Sequence, residues 1–187
     1  FKLVETLSHG KFNNETALLK ALVKHIVDDG SFEISGGRVW ELNPQDKSYK
    51  LIYQYGDLKK IPKDYSIPIS EHPVFSRLIK ERTILQEETD NLLREKGIEV
   101  YSATGVGEII RLKTGRYFKY ALGFNAQHIL QSFFETLSII SSVASVALRN
   151  LSSQAMQKRM QHDILKASEI QRSLLPDHYM EYKDYKI

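Results

Sequence analysis

Residues 126–175 read AQHILQSFFETLSIISSVASVALRNLSSQAMQKRMQHDILKASEIQRSLL, with neither glycine nor proline in the run. Those two residues are the strongest helix breakers, so nothing here interrupts a helix. A continuous helix of this length would extend roughly 75 Å, far beyond the span of a domain of this size. Its halves differ in character. In the first, Leu137, Ile139, Ile140, Val143, Ala144, Val146, Ala147 and Leu148 provide an apolar helix suited to packing on a sheet. The second half, residues 151–175, is polar with a thin apolar line. Met156, Met160, Ala167, Ile170 and Leu174 fall on alternating four- and three-residue steps, with Asp163 in the remaining step. So narrow a seam suits contact between two helices better than a globular core. A lone polar helix is marginal in water without packing. The pattern predicts a helical stalk whose stripe is covered by a second copy of the chain.

Upstream, Leu18, Leu19, Leu22, Val23, Ile26 and Val27 recur at helical spacing, predicting a helix over residues 15–29. Asn13 or Asn14 can cap its start, and Gly30 stands where it would stop. Strands are predicted over 38–42 and 48–55, joined by the turn cluster Asn43-Pro44-Gln45-Asp46-Lys47. By the two-residue period, Tyr49, Leu51, Tyr53 and Tyr55 share one strand face, and Ser48, Lys50 and Gln54 the other. Residues 57–104 read as irregular, with Pro62, Pro68 and Pro73. Pro73 marks a helix start, followed by the stripe Val74, Phe75, Leu78 and Ile79. Residues 86–97 are strongly charged and expected to be exposed. Two further strands, 107–113 and 116–124, meet at Thr114-Gly115, with Phe118, Tyr120, Leu122 and Phe124 along one face. The expected fold is α+β, an antiparallel sheet flanked by helices, with a long C-terminal coiled-coil-type helix.

The chain has 187 residues, enough for one domain and an extension. Apolar residues make up 42% and charged residues 26%, which argues against wholesale disorder. No stretch approaches 18 uncharged apolar residues, so no membrane-spanning helix is expected. The absence of cysteine excludes a disulfide scaffold, a thiolate metal site and a cysteine nucleophile, and fits a cytoplasmic setting. The formal charge is +3, with basic residues dispersed rather than gathered in a stripe, so no nucleic-acid partner is expected.

The stalk ends in Ser168-Glu169-Ile170-Gln171-Arg172-Ser173-Leu174-Leu175-Pro176. This resembles the junction before the catalytic domain of bacterial PPM-type serine phosphatases of the RsbU and SpoIIE group. In that family a helical linker runs through an Ile-Gln pair to a Leu-Leu-Pro stop and then enters the first phosphatase strand. Asp184-Tyr185-Lys186-Ile187 resembles the opening of that strand. Residues 15–150 resemble a GAF domain in their order of elements and in the final helix, from Glu135-Thr136-Leu137 to Leu148-Arg149-Asn150. The resemblance divides the chain into a lead-in (1–14), a GAF-like sensor domain (15–150), a helical dimerisation linker (151–176) and the start of a phosphatase domain (177–187). Two departures from familiar GAF domains stand out. No cysteine can hold a bilin, and the Asn-Lys-Phe-Asp-Glu signature of cyclic-nucleotide binders is missing, since Asn125 is followed by Ala126.

Candidate chemistry within the chain is sparse. His9, His25, His72, His128, His162 and His178 show no zinc-like spacing and are read as structural or surface residues. Asp28-Asp29-Gly30 lacks the further oxygens of a calcium loop. No phosphate-binding glycine motif occurs. His162-Asp163 begins like a histidine-kinase phosphoacceptor box, but Ile164-Leu165 replaces its continuation. No catalytic residue and no metal ligand is assigned. Tyr53, Tyr55, Arg111, Tyr117, Phe118 and Tyr120 are candidates for walling a small-molecule pocket, set against an ordinary sheet core with an amphipathic rim. Met156, Met160, Ala167, Ile170, Gln171, Leu174, Leu175 and Pro176 are the candidate dimer and linker residues. The resemblance implies that residues 1–187 have no enzyme activity themselves and regulate a metal-dependent serine/threonine phosphatase. Its two divalent metals (Mn or Mg) would lie beyond Ile187, and its substrate would be a phosphoserine protein of the anti-anti-sigma type in partner-switch signalling. Two other readings remain open: a GAF module serving a histidine kinase or cyclase, and a dimerisation scaffold without ligand.

Overall fold

The computed structural model describes residues 2–85 and 102–174. Along the chain lie α1 (Lys2–His9), α2 (Glu15–Asp29), β1 (Gly36–Asn43), β2 (Ser48–Gly56), β3 (Ser66–Pro68) and a single 3-10 turn (Ile69–Glu71). Then come α3 (Val74–Glu81), β4 (Thr83–Leu85), β5 (Ser102–Leu112), β6 (Gly115–Asn125) and α4 (Gln131–Leu174). Local chemistry sets the ends of α2. The Asn14 side chain accepts a hydrogen bond from the Ala17 N–H at 2.8 Å, and Gly30 closes the helix at φ 69°, a left-handed conformation that glycine adopts without a Cβ penalty.

The strands form one six-stranded sheet in the order β3-β2-β1-β6-β5-β4, and every described pairing is antiparallel. Alternation along β1 separates two apolar clusters. Val39 joins Leu18, Leu22 and Ile26 of α2 and Phe133, Leu137 and Ile140 of α4. Trp40 and Leu42 join Tyr49, Leu51, Phe75, Leu78 and Ile84. The sheet therefore carries α2 and α4 on one face and α3 on the other, as the α+β expectation required.

Three expectations are corrected. First, Tyr49, Leu51, Tyr53 and Tyr55 do not share a face. Val39 and Trp40 pair with Tyr53 and Leu51, which leaves Ile52 as an extra residue, a β-bulge that inverts the alternation beyond it. Tyr49 and Leu51 lie in the α3-side cluster, whereas Ile52, Tyr53 and Tyr55 pack on the α2 side. Second, Phe118 leaves the row of Tyr120, Leu122 and Phe124 for the α3-side cluster, at the point where the β5–β6 register shifts between Val106 and Ile109. Gly107 takes φ 86° there. Third, β5 begins at Ser102 rather than Gly107, and its turn to β6 falls at Lys113-Thr114, because Leu112 already pairs with Gly115. The short β3 and β4 lie in the stretch read as irregular, and α1 in the lead-in.

The chain divides into two compact units, Phe1–Leu151 and Ser152–Ile187. Within the first, α4 buries Phe133, Leu137, Ile140, Ser141, Ala144, Ser145 and Leu148. Ile139 and Val146, expected to belong to its packing half, are instead 55% and 54% exposed. One 18-residue stretch of α4 has a mean hydropathy of 1.2, long and apolar enough to cross a membrane by length and composition alone. Part of that hydropathy comes from Phe133, Leu137, Ile140, Ala144 and Leu148, which lie in the core, and part from the exposed Ile139 and Val146. In the second unit every residue from Ser152 to Leu174 is exposed. The expectations for residues 86–97, Leu175, Pro176 and 177–187 fall outside the described residues.

Candidate functional site

On the α3 face, two side chains tie down the segment after β2. Arg38 is 1% exposed; its Nη2 donates to the Lys59 carbonyl at 2.7 Å and its Nη1 to Asn125 Oδ1 at 3.4 Å. Gln54 donates to the Ile61 carbonyl at 2.7 Å and accepts from the Ile61 N–H at 3.2 Å. The bulge at Ile52 is what turns Gln54 toward Arg38, its partner across the β1–β2 ladder. Beneath lies an aromatic group. The Tyr49 ring stacks on Phe75 with centroids 4.0 Å apart, and His72 meets Phe75 edge-on at 5.4 Å. The Tyr49 hydroxyl donates to the Phe118 carbonyl. Burial pushes its pKa far above the usual tyrosine value, with Tyr117 adding to the shift.

On the α2 face, the Tyr53 and Tyr55 rings stack at 6.3 Å. Lys20 lies 5.6 Å over Tyr53, and Lys24 5.8 Å over Tyr55. The Tyr55 hydroxyl donates to Asp28 Oδ1 at 2.8 Å, which raises its pKa. At the start of α2, Glu15 Oε2 accepts from the Tyr120 hydroxyl and from Lys119 Nζ, both at 2.6 Å. Burial and then the Glu15 bond hold Tyr120 strongly in its neutral form. A separate apolar cleft of ≈ 260 Å³ lies between α1 and α2, lined by Leu3, Leu7, Phe12, Leu22 and His25 among others.

The six pocket candidates are thus divided between the faces. Tyr53, Tyr55 and Tyr120 pack on the α2 side, Tyr117 and Phe118 on the α3 side, and Arg111 is exposed near the β5–β6 turn. None of them lines the cleft. Among the described residues no group of three or more His, Asp or Glu could hold a metal ion.

Sequence reasoning missed Arg82. It follows α3 with φ 57° and ψ −46°, a positive-φ backbone that costs an arginine on the order of 1–3 kcal/mol. Its Nε donates to Ser141 Oγ at 3.2 Å and its Nη2 to Ser145 Oγ at 3.1 Å. Its guanidinium carbon lies 5.7 Å from the Phe118 ring centre. Its own carbonyl accepts from the Gly105 N–H at 2.9 Å and from Thr104 Oγ1 at 3.1 Å. Ser145 also accepts from the Gly107 N–H at the β5 bulge, at 3.1 Å. One residue thus joins the end of α3, the β5 bulge and the buried side of α4. The available signal was Ser141 and Ser145, two hydroxyls four residues apart on the core side of an apolar helix, where a polar partner is needed.

In the second unit, Met156, Met160, Ile164, Leu165, Ile170 and Leu174 are all large, apolar and exposed. Met156, Met160, Ala167, Ile170 and Leu174 of the expected seam lie on this helix, with Gln171 beside them. Nothing among the described residues covers them.

The sequence matches no protein-family model and no curated protein. Its fold is shared with solved structures. The GAF domain of an Acinetobacter phosphoenolpyruvate-protein phosphotransferase aligns with a TM-score of 0.56 at 16% identity, covering 81% of this chain and 91% of that one. A methyl-accepting chemotaxis protein aligns at 0.60 and 9% identity, covering 81% and 98%. Free methionine-R-sulfoxide reductase from Neisseria meningitidis, solved with its substrate, aligns at 0.58 and 12% identity, covering 82% and 87%. These likenesses establish a GAF fold. The reductase shows that the same fold also serves an enzyme.

Proposed function

We propose that this chain is a cytoplasmic regulatory module: a GAF-fold sensor whose C-terminal helix pairs with that of a second copy and controls an attached PPM-type serine phosphatase. The observation that carries the reading is the stalk. A helix exposed at every residue from Ser152 to Leu174, yet bearing a line of Met, Ile and Leu, lacks the packing that holds a helix together in water. A second copy supplies a matching line. The Ile170-Gln171 and Leu174-Leu175-Pro176 sequence supports the phosphatase as output, because it resembles the linker of that family. The metals and the phosphoserine protein substrate belong to the catalytic domain this reading places after Ile187.

The signal would travel as a change in how the two helices pair, which needs only a few kcal/mol between packings. Arg82 supports a route into the helix, since it bonds α4 from the end of α3. Whether a small molecule, another protein or neither provides the signal is what a thermal-shift screen and native mass spectrometry address.

Sedimentation tests the pairing. Residues 1–187 are expected to dimerise, and cutting after Asn150 to weaken or abolish the dimer. A chain that stays monomeric at high concentration with its stalk intact overturns the reading. Output is tested on a chain extended beyond Ile187: metal-binding aspartates and metal-dependent phosphoserine hydrolysis support the phosphatase. A kinase or cyclase sequence there replaces it. That alternative draws on the fold likeness to a chemotaxis protein and a phosphotransferase domain.

A further inference from the structure

We propose that the stalk carries two alternative pairing seams and that the neighbours Asp163 and Ile164 set the balance between them. This rests on the reading of the stalk as a pair of copies. Met160, Ala167 and Leu174 recur every seven residues and serve both seams. The first seam completes them with Met156, Asp163 and Ile170, an unbroken alternation of three- and four-residue steps. The second replaces Met156 by Gln157, Asp163 by Ile164 and Ile170 by Gln171, one residue further round. Successive residues lie about 100° apart around a helix, so with three positions held in common the buried line turns by about 50°.

The two seams trade apolar area against charge. At the positions that differ, the first holds Met156 and Ile170 with the ionised Asp163, and the second holds Ile164 with the neutral amides Gln157 and Gln171. Ile164 and Ile170 are 66% and 58% exposed, so each has comparable apolar surface to bury. In the first seam the two Asp163 carboxylates of a parallel pair face one another, and like charges in one layer repel. In the second they lie outside the seam in water, while the two Gln171 amides can exchange hydrogen bonds, each being donor and acceptor. Removing the Asp163 charge therefore favours the first seam.

Area and charge both identify the occupant as a second copy in parallel. Burying one side chain of the Met, Ile or Leu kind removes ~60–120 Å² of apolar surface from water. Met156, Met160, Ile170 and Leu174 of the first seam together thus offer on the order of 240–480 Å² per helix. The apolar share of one side of a standard interface is about 450 Å². One flank of the first seam is uncharged (Gln157, Ile164, Gln171), and the other carries Arg159 and Lys166. A parallel pair sets the basic flank against the uncharged one. An antiparallel pair would bring the basic flanks together.

The chain contains no cysteine, so a single introduced thiol reports one position. Ile170→Cys samples the first seam, Gln171→Cys the second, and Glu169→Cys the outer side, all in residues 1–187 under mild oxidation. Cross-linking is expected at both 170 and 171, each well above 169. Adding Asp163→Leu exchanges a repelling pair for buried leucine and is expected to shift the 170-to-171 ratio about tenfold or more toward 170. Cross-linking at 170 with none at 171 above the 169 level, in either background, overturns the two-seam proposal and leaves the dimer standing. An unchanged ratio with Asp163→Leu overturns the role of Asp163. Sedimentation of the cysteine-free chain reports the dimer separately, and a monomer there, or a stalk paired only with another protein, removes the shared premise.

Discussion

Replacing Tyr49 by Phe deletes one oxygen atom from the middle of the α3-side cluster and tests whether that atom fastens β2 to β6. The side chain is fully buried, and its hydroxyl donates to the Phe118 carbonyl across an interval of 69 residues. β1 lies between the two strands, so no ladder hydrogen bond joins them directly. The net value of a neutral hydrogen bond is ~1 kcal/mol, and a buried carbonyl left without its donor can raise the cost to ~2 kcal/mol. The phenyl ring keeps the stack on Phe75 at 4.0 Å, so no cavity adds to the loss. For a chain of this size each kcal/mol lowers the melting temperature by ~2–4 °C, which predicts a fall of about 2–8 °C. Tyr49→Leu removes the aromatic pair as well, worth ~0.5–1.5 kcal/mol, and is expected to melt lower still. Thermal and denaturant unfolding of both variants, followed by circular dichroism, give the comparison. If Tyr49→Phe melts with the wild type while Tyr49→Leu falls, the ring matters and the hydroxyl does not, and the fastening role assigned to it is wrong.

Alkaline pH should destabilise the fold through the same residue and Tyr120. Burial raises both hydroxyls well above the ordinary value of 10.0, so the unfolded chain loses these protons first. Stability is then complete below pH ~10 and falls as pH rises above it, because the unfolded state binds fewer protons there. Denaturant midpoints measured on either side of pH 10 check this, and Tyr49→Phe should flatten the fall. At Arg82, alanine removes the bonds to Ser141 and Ser145 but keeps the positive-φ backbone, for an expected loss of ~1–3 kcal/mol. Glycine at the same position relieves the backbone and should recover ~1 kcal/mol of that in denaturant titrations; equal values would mean that φ 57° carries no strain.

What could be read from the sequence follows the range over which each feature is determined. The bounds of α2 were legible because Asn14 and Gly30 act within one helical turn of the residues they terminate. The length of α4 was legible because a helix needs no partner to be drawn, only the absence of a breaker. The faces of β2 were not. Whether Tyr53 lies on the side of Tyr49 depends on Ile52 being skipped by β1, and that is decided between strands rather than along one. The same holds for Phe118, whose face turns on a register shift in the neighbouring β5. The candidate pocket wall was gathered from the strand aromatics and Arg111 without the register that sorts them, which is why its six residues end on two faces and an exposed edge.

The polar anchors were harder still, since Arg38 and Arg82 look in sequence like ordinary surface charges. Only the folded chain brings the Lys59 carbonyl to one and the serines of α4 to the other. Their positions have a shared consequence for function. Arg38 fixes the segment after β2 and Arg82 fixes the end of α3, so both ends of the α3-side layer are tied by guanidinium groups, and the second tie leads into α4. A perturbation on that face that moves Arg82 must either break its bonds to Ser141 and Ser145 or draw α4 with it. The serines are themselves bonded to β5, Ser141 to the Gly105 carbonyl at 2.8 Å and Ser145 to the Gly107 N–H, so the helix cannot follow without disturbing the bulge. The bonds at this junction therefore couple α3, β5 and α4, so that a displacement of any one of them strains its bonds to the other two.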